Sequence, residues 1–357
     1  MSRRAPVYPA SDPPSAGVAR AASLADVAKL AGVSAGTVSR SLYRPQMISG
    51  ATRERVQDAV DRLGYLANGA ARALTMRRTM TVGAVVPRFG SSSFPALVQS
   101  LETRMSAQGY TLLLSAPDQR GPNAASVLRA LLERGVDAVA LLGVEQPASV
   151  LNLLHAHAVP YVLMWAPPNA EGRCIGFDEP RASRLLVEHL HGLGHRNVAY
   201  IGAPGADSER ARRRFNDLTR AMAACGMRLC NDGFIEIDHG FGEGFTAMRA
   251  ILPHRAQYSA VICSSDYLAA GALAALDQAG IAVPGELSVA SFNDNEFAAF
   301  VHPPLTTVRL PIRELGEQAA NYLLAYLRDE PLAPPTALPV HLQIRASTGP
   351  TRPGATA

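Results

Sequence analysis

The run from Ser23 to Leu42 holds the residues whose types and spacing point most directly to a chemistry. That chemistry is recognition of a polyanion rather than catalysis. Ser23 followed three residues later by Asp26 fits a capping box opening a helix. Leu24, Val27, Ala28 and Ala31 fall at i, i+3, i+4 and i+7, which makes one apolar stripe. Gly32 stands where a turn between two helices needs positive φ. Ser34 can cap a second helix that turns Val38 and Leu42 toward the first and leaves Ala35, Gly36, Thr37, Ser39 and Arg40 outward. An outward face of this kind can enter a major groove. An ordinary helical hairpin of small residues would show the same pattern, so charge is the next discriminator. Arg20 to Met80 carries ten basic residues against four acidic ones, whereas everything after Met80 sums to −3. A basic head on a mildly acidic body points to a polyanion partner for the head alone.

Catalytic and metal-binding patterns are weaker. His189, His191 and His195 lie two and four apart on a helix that ends near Gly194, and that spacing does not converge on one ion. His155 and His157 have the same fault, and such histidines read as solvated or helix-end residues. Gly240-Phe-Gly-Glu-Gly244 follows a strand, but Phe245 replaces the last glycine of a dinucleotide loop. Cys174, Cys225, Cys230 and Cys263 form no CxxC pair and read as reduced thiols. No catalytic residue, metal or cofactor is therefore expected, and an enzyme is not the expected class. The chain is 48% hydrophobic and 18% charged, a globular balance. It has no apolar run of the roughly 18 residues a membrane span needs. Prolines interrupt its first residues where a signal peptide is apolar. A cytoplasmic protein with no membrane partner is the expectation.

The elements that must position the head and the body follow from the change of period along the chain. Residues 1–22 are rich in Pro, Ala and Ser and read as a disordered tail. Short helices occupy 23–67, and 68–79 is a polar linker. From Met80 onward, short apolar runs alternate with helical stretches: Val82–Val86, Tyr110–Leu114, Val136–Leu142, Tyr161–Met164, Val198–Ile201, Phe234–Ile237, Ala260–Cys263 and Leu287–Phe292. Strands separated in this way imply βαβ units and parallel sheets covered on both faces. The body is longer than one open sheet usually holds, so two α/β subdomains are expected. Ligands bind such sheets outside the carboxyl ends of their strands, which places a pocket between the subdomains.

The motif Leu-Ala-Asp-Val-Ala…Gly-Val-Ser-x-x-Thr-Val-Ser-Arg, with Ile48-Ser49, Thr52-Arg-Glu-Arg-Val56 and Leu63-Gly-Tyr65, resembles the headpiece of the LacI/GalR (lactose-repressor) family of bacterial transcription regulators. The likeness runs from Ser23 to about Ser347 and is most specific in the headpiece. It implies an all-α helix-turn-helix headpiece at 23–67 and a hinge helix at 68–79. It also implies a periplasmic-binding-protein-like α/β core at 80–347 with crossovers near 178, 308 and 340, followed by a disordered tail over 348–357. It further implies a repressor of carbohydrate or sugar-acid genes acting as a homodimer on a palindromic double-stranded operator under a small-molecule effector. After Ser347 there is no leucine heptad for a tetramer. The alternative is a sugar-binding protein or sugar-active enzyme built on the same core.

By resemblance, Ala35, Gly36 and Arg40 would read bases, and an arginine can pair bidentately with guanine. Ser23, Ser34, Thr37, Ser39, Ser49 and Thr52 would serve the phosphate-facing surface. Tyr43 departs from the Asn common in the family. Asn68, Ala71 and Leu74 belong to the hinge segment, which is too short to be stably helical alone. There Leu74 would wedge between base pairs, or else pack as a linker residue. In the body, the resemblance assigns effector contacts to Arg212, Ser265, Asp266 and Asn293, with Arg88, Phe94 and His239 on loops aimed at the cleft. Trp165 would stack on a sugar ring, or else serve as plain core, and Arg212 could equally be a surface arginine. Asn293 replaces a carboxylate common in the family, so a less negative pocket and an acidic ligand of the sugar-acid type are expected.

Overall fold

The structure is a computed structural model describing residues 20–67, 69, 73, 78–86, 93–116, 124–168, 172–203, 208–332 and 336–351. The chain forms two compact units that meet in sequence at Thr79 and Met80.

The first unit is three helices: α1 (Leu24–Ala31), α2 (Ala35–Tyr43) and α3 (Gly50–Leu63). The expected capping box is present, with Asp26 N donating to Ser23 Oγ at 3.3 Å and Ser23 N donating to Asp26 Oδ2 at 2.8 Å. Gly32 ends α1 at φ 65°, where its missing Cβ avoids the left-handed penalty. Val27, Ala28, Ala31, Val38, Val56 and Ala59 form a small buried core. Arg20–Ala22 carry no regular structure, and the rest of the expected N-terminal tail lies outside the described residues.

The second unit holds two sheets. The first is wholly parallel, in the order β2-β1-β3-β4-β5, from β1 (Thr81–Val85), β2 (Thr111–Ser115), β3 (Ala138–Leu142), β4 (Tyr161–Met164) and β5 (Cys174–Ile175). The other has the order β11-β10-β9-β8-β6-β7. It is built from β6 (Asn197–Gly202), β7 (Arg228–Glu236), β8 (Ala260–Cys263), β9 (Ser288–Asn293), β10 (Thr306–Arg309) and β11 (His341–Gln343). Only β11 runs antiparallel, as an edge strand on β10. The helices are α4 (Phe94–Ser106), α5 (Ala124–Glu133), α6 (Ala148–Ala156), α7 (Glu179–Gly192), α8 (Glu209–Ala224), α9 (Phe241–Ile251), α10 (Asp266–Gln278) and α11 (Ile312–Leu327).

The chain passes between the sheets after β5, between β10 and α11, and again before β11. Helix α11 lies late in sequence yet packs on α4 and the first sheet. It comes so close that a Cβ on Gly316 would stand 2.4 Å from Leu97 O. One apolar cluster therefore continues from Val82 and Leu101 through Leu315 to Val308 and Phe292.

The expected loose tail from 348 is not loose through Thr351. Ser347 Oγ donates to Val289 O at 2.6 Å and accepts from Thr306 N at 2.8 Å, while Thr351 N donates to Leu193 O at 2.9 Å. His195, expected as a solvated or helix-end residue, is buried beneath this segment. Gly349 O can only accept, so His195 Nε2 donates to it at 3.1 Å, and Nδ1 accepts from Ser259 Oγ at 2.8 Å. Burial draws its pKa below the ordinary 6.5, which favours this neutral imidazole. The unfolded chain protonates first as pH falls, so the stabilisation from His195 is whole above pH 6.5 and is lost progressively below it. Melting curves at pH 7.5 and 5.5 should show a larger stability loss for the wild type than for His195→Ala. That variant itself costs about 1–3 kcal/mol at the higher pH by stranding two polar partners.

Candidate functional site

The head presents one free face. Ser34 caps α2 by accepting from Thr37 N at 3.1 Å and pairs with Thr37 Oγ1 at 2.9 Å. Ala35, Gly36 and Arg40 are exposed, Thr37 and Ser39 are half-buried, and Val38 and Ser41 face inward. The Arg40 side chain leans along the helix, since a Cβ on Gly36 would stand 3.7 Å from its guanidinium. Ser49 Oγ donates to Thr52 Oγ1 at 3.0 Å at the start of α3. Ser23 differs from the expectation: its hydroxyl donates to Asp26 Oδ2 at 2.6 Å, so it works as a cap. Asn68, Ala71 and Leu74 lie outside the described residues.

In the body, the ends of β3 and β4 come close to the start of α8, which follows β6: Gly143 lies beside Arg210, and the Trp165 carbonyl accepts from Arg213. Trp165 follows β4 at φ 59° and is 5% exposed. Phe94 and Phe177 meet it edge-on at 5.7 and 5.2 Å. Its indole N–H donates to Glu179 Oε1 at 3.2 Å. Trp165 is thus a wall piece of the cleft with almost no face left for a sugar ring, a correction to the stacking role.

Glu179 opens α7 and is 3% exposed. Its Oε1 also accepts from Arg214 at 3.0 Å, and its Oε2 accepts from Arg213 Nε at 3.1 Å. Burial alone would raise this carboxyl, but Arg214, Arg213 and the Trp165 bond outweigh it and hold its pKa below the ordinary 4.5. Arg213 also donates to Trp165 O at 3.2 Å and to Glu209 Oε1 at 2.6 Å. Arg214 donates to Ser264 O at 2.8 Å and lies 4.9 Å over the Phe292 ring. The first residue past that ring is Asn293, 9% exposed, at φ 113°, with Oδ1 lacking any hydrogen-bond partner. A positive-φ backbone thus carries a buried acceptor that no described residue satisfies.

The remaining expected residues divide. His239 Nδ1 and Ser265 Oγ come within 3.4 Å of each other, and Ser265 caps α10. Asp266 is fully buried and accepts four hydrogen bonds from Ser291, Thr307 and Asn295, so no lone pair faces the cleft. Arg212 turns to the rim, where it forks onto Glu145 at 2.7 and 2.8 Å. It sits about 200° around the helix from Arg210 and Arg214, and those two hold the inward face. Arg88 lies outside the described residues. Glu179, Arg210 and Arg214 are the functional candidates that sequence reasoning missed. The i, i+4 pair of arginines was legible only once Ser208 is taken as the cap of α8.

A helix-turn-helix head with a free recognition face, in one chain with a two-sheet body that buries arginines and an unsatisfied amide at its cleft, defines a ligand-regulated DNA-binding protein. Comparison with known proteins gives the family. Residues 23–68 match the bacterial regulatory proteins of the lacI family, and residues 187–348 match a periplasmic binding protein-like domain. The ribose operon repressor of Escherichia coli (strain K12) is 32% identical over 305 residues, covering 85% of this chain and 92% of that protein. The HTH-type transcriptional repressor PurR of Vibrio vulnificus is 29% identical, with 87% and 93% covered. Among solved structures, a lac repressor dimer bound to operator and the anti-inducer ONPF superposes with a TM-score of 0.83. Its identity is 26%, covering 92% of this chain and all of that one. The transcription regulator GntR of Chromobacterium violaceum gives 0.71 at 31% identity, covering 75% of this chain and 99% of its own. The chain belongs to the LacI family of bacterial transcription regulators.

Proposed function

We propose that the protein is a cytoplasmic, homodimeric repressor of genes for uptake or breakdown of a carbohydrate or sugar acid. It grips a palindromic operator and is switched by a small molecule in the cleft. The observation that carries this reading is the free Ala35, Gly36 and Arg40 face of a capped second helix, in one chain with a cleft ending on the unsatisfied Asn293. Arg40 is the base reader, the phosphates fall to the hydroxyls around it, and the segment with Asn68, Ala71 and Leu74 is the hinge. The dimer face is the apolar surface where Phe241, Tyr267 and Phe297 cluster at 4.9–5.4 Å beside Phe300, which is 81% exposed. A patch of this kind on a DNA-binding protein suits a second copy of itself. Effector and operator then change one another's affinity by the same factor.

Selection of genomic fragments near 0.15 M salt tests the reading: a palindrome should be enriched, with binding that falls steeply as salt rises. Deleting residues 1–79 should abolish DNA binding and spare ligand binding, whereas a transport protein or enzyme on this core would lose nothing. Arg40→Ala should cost about 1–3 kcal/mol on the recovered site and flatten preference at one guanine, leaving non-specific binding nearly intact. A uniform loss on all sequences would instead make Arg40 a phosphate contact.

A further inference from the structure

Four arginines stand near the start of α8, and three of them are engaged. Arg212 is paired with Glu145, Arg213 with Glu179 and Glu209, and Arg214 with Glu179 and the Ser264 carbonyl. Arg210 is the exception. Among the described residues its guanidinium makes no hydrogen bond and no ion pair. Its one contact is the Phe94 ring, 5.3 Å away, itself edge-on to Trp165. Burial pulls its pKa down to about 10 against the opposing pull of the nearby Glu209 and Glu179 carboxylates, neither of which forms an ion pair with it. Its direction is given by Gly143 at the end of β3, where an added Cβ would stand 3.3 Å from Arg210 Nη1 and 3.7 Å from Glu209 Oε2. That Glu209 oxygen is buried and has no hydrogen-bond partner. An unpaired donor fork and an unpaired acceptor thus flank one spot at the cleft mouth, and the unpaired acceptor of Asn293 closes off β9.

We propose that Arg210 is a specificity residue for an anionic ligand: a small polyhydroxylated acid whose carboxylate or phosphate is gripped by Arg210. A hydroxyl beside that oxyanion donates to Glu209 Oε2, and a second hydroxyl donates to Asn293 Oδ1. Every orphaned group then gains a partner of the right sign. A neutral sugar would satisfy the acceptors and leave the half-buried Arg210 donors without a hydrogen-bond partner, which is the costlier error. This inference rests on reading the cleft as the effector site.

The single tryptophan, Trp165, is the reporter, because Phe94 links it to Arg210. Full-length protein, first shown to hold its selected operator, is titrated with D-gluconate, D-glucose 6-phosphate and D-glucose while Trp165 emission and operator release are followed. At least one anion should bind on the order of tenfold to a hundredfold tighter than glucose, as a charge-assisted pair requires. The two anions distinguish carboxylate from phosphate. Arg210→Gln should erase that ratio while leaving ligand-free operator binding unchanged, and Arg210→Lys should restore part of it. Glucose binding as tightly as either anion, a ratio that survives Arg210→Gln, or no response to either anion would each overturn the inference. Operator binding in the same samples keeps the regulator reading separate: its loss, not any ligand result, would sink that.

Discussion

Replacing Glu179 by Ala should destabilise the body by about 3–5 kcal/mol, the usual consequence of stranding buried charge. The argument is one of counting. Arg213 and Arg214 both rest on this carboxylate, at 3.1 and 3.0 Å, and both are largely withdrawn from water. Without it, Arg213 keeps Glu209 and the Trp165 carbonyl, but Arg214 keeps only the Ser264 carbonyl and the Phe292 ring. The indole N–H of Trp165 loses its acceptor as well. Because Trp165 belongs to the first sheet and α7–α8 to the second, the variant should also loosen cleft closure and weaken effector binding. The wild type carries a pH signature. Glu179 is held below its ordinary 4.5, so its stabilisation is present above that value and is lost as pH falls through the lower folded value. Urea melts followed by Trp165 emission at pH 7 and pH 4 should show this acid sensitivity in the wild type and a weaker one in Glu179→Gln. A Glu179→Ala protein as stable as the wild type would mean that the arginines reach water in the cleft.

Much of this architecture was legible because it repeats. Eight apolar runs of four to seven residues overlap strands of the two sheets, most plainly β3, β4 and β8, which are buried along their whole length and so must be apolar throughout. The head was legible from a cap, a stripe and one glycine. Hidden elements were the short edge pieces. β5 is two residues and β11 is three, too few to show a period, and their pairing is decided by a chain that has already crossed between sheets. Helix α11 is amphipathic in sequence, but nothing local says that its apolar face belongs to the first sheet.

The site was half legible, and its failures share a cause. Resemblance assigns the ligand arginine to Arg212, but the helix that begins at Glu209 turns Arg212 to the rim and Arg210 and Arg214 inward. An error in helical phase of two residues turns an inward side chain outward. The stacking role of Trp165 fails, since spacing does not reveal that Phe94, Phe177 and Glu179 already enclose its ring. Asp266 is assigned by resemblance alone, and there the internal donors were the missing information.

Those donors make Asp266→Ala the second large effect, because each neutral donor left buried without an acceptor costs about 1–3 kcal/mol. Ser291 Oγ at 2.5 Å and Thr307 Oγ1 at 2.7 Å meet Oδ1, while Asn295 meets Oδ2 through its backbone N–H at 2.6 Å and its amide at 2.9 Å. One carboxylate therefore ties β9, β10 and the following turn to the first turn of α10, where the helix dipole also favours negative charge. Ser93 Oγ, at the head of α4, donates to the Asn295 side-chain Oδ1 at 3.2 Å, so the cluster reaches the first subdomain too. Asp266→Asn should cost less, about 1–3 kcal/mol, by setting an amide N–H against donors. The pH dependence separates the two carboxyls. Burial pushes Asp266 up to about 6, against 3.8 for the ordinary residue, so the native state takes up this proton before the unfolded chain does. Oδ1 can hold that proton, because either hydroxyl facing it can turn to accept, whereas the N–H groups on Oδ2 cannot. Stability from this group therefore rises as pH falls from about 6 toward 3.8, the reverse of Glu179. The gap between wild type and Asp266→Asn should widen from pH 7 to pH 5, and a gap that narrows would mean that Asp266 stays ionised on its four donors.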